Sequence, residues 1–157
     1  MTTIFAVLPL IAAAAIAGPG GSDAPADVVT GASTSVASRP AQKWATDPPL
    51  RTGIRAIREA LAARLPAMRA GTLQIGEYQV LGATIDGRVR GILLECTLPP
   101  AADAQLHPIL AALLVAANTV QGTEATVSAA AFRDAVTAIN RYGQIFDDPG
   151  WRPLEPD

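Results

Sequence analysis

The sequence predicts an all-α protein: an up-down-up-down four-helix bundle preceded by a signal peptide and a disordered linker. Three observations carry this. Half of the 157 residues are hydrophobic but only 4% are aromatic, and much of the apolar share is alanine. Alanine is the best helix former, whereas strands favour branched and aromatic residues. Apolar residues recur at spacings of three and four in four successive segments after Trp44. The breaks between these segments are short, which forces successive helices to run antiparallel. A net charge of −2 supplies no broad field for nucleic acid or acidic lipid.

The first stretch, MTTIFAVLPLIAAAAIAGPGG, reads as a secretory signal. Ile4 to Ala17 is an unbroken apolar run, shorter than the roughly 20 residues that span a bilayer. Ala15-Ile16-Ala17 places small residues in an A-x-A arrangement, so cleavage is expected before Gly18. The n-region lacks Lys and Arg, and an uncleaved anchor is the alternative. The expected location is periplasmic or secreted, with no integral membrane domain after cleavage. Residues 18–43 are mostly Gly, Ser, Ala, Pro, Thr and Asp. They bury too little apolar surface to offset their ordering entropy and read as a disordered linker.

The bundle domain is expected over 44–157. Its first helix begins at TDPP, where Asp47 or Thr46 caps the free N–H groups and Pro48 suits the first helical position. Leu50, Ile54, Ile57, Leu61, Leu65 and Met68 form its stripe. Pro66 should kink or fray its last turn, and Gly71-Thr72 ends it. The second helix runs from about Leu73 to Cys96 with Tyr78, Leu81, Ile85, Val89, Ile92 and Cys96 inward. Its four glycines weaken it but can let a neighbouring helix come close. The third follows Pro99-Pro100, with Leu106, Leu110, Leu113, Ala117 and Val120 inward; Pro108 should bend it early or delay its start. QGTEAT leads to the fourth, with Phe132, Val136, Ile139, Tyr142 and Phe146 inward and Ser128 as a helix cap. Pro149-Gly150 marks a turn that points Trp151 back toward the bundle.

The landmarks WATDPPLRTGI, LECTLPPAADAQLH and FDDPGW resemble those of a group of small exported proteobacterial helical proteins. That group carries a W-x-T-D-x-P-L start, an N-C-x-L-x-P-x-A-D-x-x-L-H centre and an F-D-x-P-G-W end. The similarity covers Trp44 to Trp151, with Glu95 where the group has Asn. It implies export and these domain limits; no activity is established for the group.

The chain holds one cysteine and one histidine, Cys96 and His107, across a double proline. Thiolate and imidazole suit copper or zinc, but a closed zinc site needs four such ligands. Helical rise sets His107 some 9 Å along the bundle from the turn that holds Cys96, against shared coordination. Haem attachment through C-x-x-C-H is absent. Met68 and His107 fall about 18 Å apart along the axis, too far to share one iron. A copper- or haem-associated carrier using His107, with or without Cys96, is therefore the alternative reading, and no cofactor the main one. No nucleophile-elbow or di-iron pattern occurs, so the expectation is a non-catalytic protein.

Arg51, Arg55 and Arg58 share a helical face. They read either as an anion-binding strip or as a solvated flank pairing loosely with Glu95 of the second helix. The favoured site is aromatic. The antiparallel layout sends the start of helix 1, the helix 2–3 turn and the end of helix 4 to one pole. Trp44, Cys96, Phe146 and Trp151 should gather there, as a plug or as a surface for a small ligand or an envelope partner.

Overall fold

A computed structural model describes residues 42–122 and 124–155. The expected signal peptide and nearly all of the expected linker lie outside the described residues. The chain forms a four-helix bundle of α1 (Pro48–Arg69), α2 (Ile75–Glu95), α3 (Pro100–Val120) and α4 (Ala125–Ile145). Consecutive helices pack as antiparallel neighbours. A short parallel pairing, β1 (Trp44–Ala45) with β2 (Phe146–Asp147), sets Trp44 opposite Phe146.

The helices start and stop for local reasons. Asp47 has extended backbone and its Oδ1 accepts from Leu50 N–H at 2.9 Å, which satisfies one of the free donors of α1. Thr72 N–H donates to Ala67 O at 2.9 Å and closes the far end. Glu77 reaches back to Gln74 N–H at 3.0 Å and secures the start of α2. Neither inner proline ends its helix. Pro66 and Pro108 are both exposed, so carbonyls deprived of an N–H partner can turn to water. α3 begins at Pro100 and runs through Pro108, which rules out a delayed start.

Ser128 does not cap α4 as expected. It lies inside that helix, fully buried, and its hydroxyl donates to Val120 O, one of the terminal carbonyls of α3. A capping residue is recognised by the donor it serves, and here the acceptor belongs to the preceding helix.

The predicted stripes form the core. Leu50, Ile54, Ile57 and Leu61 of α1 are completely buried, as are Leu81, Ile85 and Val89 of α2 and Phe132, Ile139 and Tyr142 of α4. α2 and α3 approach closely at Gly82, where a Cβ would fall 2.5 Å from Ala117 O. Gly76, Gly87 and Gly91 face open space.

Candidate functional site

The pole that receives both ends of the bundle is organised by Asp47. Besides capping α1, its Oδ2 accepts from Thr97 N–H at 2.6 Å and its Oδ1 from the Cys96 thiol at 3.6 Å. One carboxylate thus ties the start of α1 to the α2–α3 turn. Burial works to raise its pKa, but the N–H groups of Thr97 and Leu50, the thiol and the Arg51 charge prevail and hold it below the ordinary carboxylate value. Cys96 is half-buried. Burial first, then the hydrogen bond and charge of Asp47, push its thiol up to about 12. At neutral pH it is a protonated thiol and a weak nucleophile.

His107 is exposed on α3, with Nδ1 3.0 Å from Asp103 O and 3.4 Å from Asp103 Oδ2. This fits Nδ1–H as the donor and leaves Nε2 available to a ligand. His107, Asp103, Leu106, Leu93 and Cys96 all line one open groove of about 340 Å³ between α2 and α3. The helical offset between Cys96 and His107 therefore does not keep them out of a common groove. Among the described residues, no group of three or more His, Cys, Asp or Glu is placed to hold a metal ion. Met68 is buried near the end of α1, at the opposite pole.

The four aromatic-site residues do not share one set of contacts. Phe146 is fully buried and stacks on Tyr142 at 5.3 Å. Trp151 meets the same Tyr142 edge-on at 5.0 Å. Trp44 is joined to Phe146 through the backbone pairing, and its side chain is 38% exposed. Cys96 packs against the edge of the core and hydrogen-bonds Asp47, with no ring contact to the aromatic group. The centre of this cluster is Tyr142, a residue the sequence marks as core and nothing more.

The arginine strip is neither free nor paired with Glu95. Its partners are backbone and side-chain groups at the two ends of the domain. Arg51 donates to Thr46 O at 2.7 Å. Arg55 forms an ion pair with Asp148 and donates to Pro149 O at 2.7 Å. Arg58 donates to Arg152 O, and Arg69 to Glu155 O. Asp148 is buried and also accepts from Tyr142 O–H at 3.2 Å. Burial, then the Asp148 charge and hydrogen bond, raise the Tyr142 pKa further above its ordinary value.

These bonds lay residues 148–155 as a strap between α1 and α4. Trp151 N–H donates to Asp148 O at 2.9 Å, with Pro149 and Gly150 at the corner and Gly150 at φ 83°, the type II arrangement. Trp151 lies so close to α4 that a Cβ on Gly143 would fall 1.9 Å from its Nε1. Asn140 pairs with the backbone of Leu154 in both directions, at 2.7 and 2.8 Å, and the Leu154 side chain is buried. The sequence carries a faint sign of this: a glycine on the inner side of α4 and a leucine beyond Trp151, both without purpose in a bare bundle.

Apolar surface remains uncovered elsewhere. Leu94 is 85% exposed, Val115 66%, Val80 56% and Leu93 52%. The outer side of α3 presents Ala101, Ala104, Pro108, Ala111, Ala112 and Val115. By length and composition α3 is the one described helix apolar enough to cross a membrane. Its Leu106, Leu110, Leu113 and Val120 are nevertheless buried in the bundle core. No protein-family model matches the chain, and neither the curated proteins nor the solved structures compared with it give a match.

Proposed function

We propose that this chain is an exported, non-catalytic helical-bundle protein with a binding or structural role in the cell envelope, related to the exported group whose landmarks it resembles. The observation that supports the binding role is the exposure of the adjacent Leu93 and Leu94 at the end of α2, with Val115 exposed farther along α3. Exposed apolar patches on soluble domains commonly mark interaction sites. The N-terminal apolar run and its small-residue end support export. The test has two parts. Fractionation and the intact mass of the expressed chain report export and the mature N-terminus; a cytoplasmic, unprocessed chain overturns the envelope reading. Cross-linking in cells, compared between wild type and Leu94→Asp or Val115→Asp, reports docking. A partner captured equally by all three chains refutes this surface as its site.

A second reading, a copper- or haem-associated carrier, draws support from the groove shared by His107 and Cys96. The raised thiol pKa disfavours Cys96 as a thiolate ligand, which leaves His107 as the principal donor. Titration with copper and with haem, followed spectroscopically on wild type and His107→Ala, decides it. A ligand band lost in the variant supports the carrier, and no band in wild type eliminates it.

A further inference from the structure

Where the strap crosses α1, Arg55, Arg58 and Glu59 face residues 149–152 across an open cleft of about 220 Å³. Three guanidiniums line it: Arg55, Arg58 and Arg152. The charge of Arg55 is matched by Asp148. Arg58 spends its Nε on Arg152 O and rests its guanidinium 5.9 Å from the centre of the Trp151 ring. Among the described residues, no carboxylate stands within ion-pair distance of Arg58 or Arg152.

Two unmatched guanidiniums therefore border one recess in a protein whose net charge is −2. Guanidinium is weakly hydrated and presents a planar fork of N–H donors that fits the oxygens of phosphate and carboxylate. Gly150 at the corner has no atom within 4 Å of where a Cβ would stand, so the mouth is open. Glu59 also lines the cleft and adds one negative charge, so with Asp148 matching Arg55 the three guanidiniums still leave the recess net positive.

We propose that this cleft binds a small doubly charged oxyanion, a phosphate monoester or a short dicarboxylate, held between Arg58 and Arg152. Because Arg58 belongs to α1 and Arg152 to the strap, the bound anion fastens one to the other. This inference is independent of where the protein resides and of what docks on α2 and α3.

Thermal unfolding of the full chain tests it, with inorganic phosphate, malonate and sodium chloride at matched ionic strength. An anion at ten times its Kd should raise Tm by about 3–6 °C. A response to phosphate alone, or to malonate alone, assigns the head group, and either supports the site. Arg152→Gln should weaken binding about tenfold, the loss of one charge-assisted contact. Its exposed side chain leaves folding intact. Arg58→Gln should act alike, but it also removes a bond to the strap, so Arg152→Gln is the deciding variant. The proposal is overturned if neither anion exceeds chloride, or if Arg152→Gln retains the full shift.

Discussion

Gly143→Ala should destabilise the protein, although alanine is the better helix former. In an exposed helix interior the exchange gains about 1 kcal/mol. Here the new methyl would sit 1.9 Å from Trp151 Nε1 and 2.2 Å from Cδ1, so the indole must leave its seat. A half-buried tryptophan that is expelled returns about 100 Å² of ring to water, worth about 2.5 kcal/mol. It also loses the edge contact with Tyr142, worth about 1 kcal/mol. The loss exceeds the gain, and Gly143→Ala should cost about 2–3 kcal/mol in urea unfolding followed by circular dichroism. The sign should reverse once the indole is gone: in Trp151→Ala, the same Gly143→Ala should stabilise by about 0.5–1 kcal/mol. The coupling between the two sites is then about 3 kcal/mol. If Gly143→Ala stabilises both backgrounds, the strap does not lie on α4 as described.

Glycines of α2 should divide by their surroundings: Gly87→Ala, facing open space, should gain about 0.5–1 kcal/mol, while Gly82→Ala should lose about 1–3 kcal/mol by forcing α2 from Ala117. Both are read from urea midpoints. Asn140→Ala removes both bonds to the Leu154 backbone and should cost about 1–2 kcal/mol, with faster amide exchange at Leu154 by NMR. The Cys96 pKa is raised in the folded state, so its contribution to stability is complete below pH 9 and falls as pH climbs from 9 toward about 12. Wild type should therefore lose stability relative to Cys96→Ala across that range; a constant difference would contradict the assignment. Asp47→Asn removes the charge that helps to raise the thiol, so Cys96 should react faster with a disulfide reagent at pH 8 than in wild type.

What could be read from the sequence was what repeats locally. The stripe from Leu50 to Met68 shows every third or fourth residue turned inward, because burial of one helix face imposes that period whatever the partner helix is. Asp47 before Pro48 announced the start of α1 for the same local reason. Of the strap, only the Pro149-Gly150 turn that brings Trp151 back to the bundle was legible; the rest has no period. Its anchors lie 93 residues apart for Arg55 and Asp148, and 14 for Asn140 and Leu154. A single arginine does not reveal whether its acceptor is Glu95 nearby or a carbonyl at the far end of the chain. The pairing of Trp44 with Phe146 spans two residues per strand, too short for alternation to appear. At the candidate site, helix direction alone brings Trp44, Cys96, Phe146 and Trp151 together. Direction assigns a pole, whereas contacts depend on rotamer and turn geometry, and these gave Tyr142 and Asp47 the central places.

The strap also bears on how the molecule is made. It leaves the ribosome after all four helices, yet it fills the seam between the first and the last. Until it arrives, Asp148 is not there to meet Arg55, and Leu154 is not there to cover the side of α4 at Asn140. A nascent chain can collect its helices as they emerge but cannot complete the domain before the strap appears. Closure of the seam between α1 and α4 is therefore left to some of the last residues of the domain to be made.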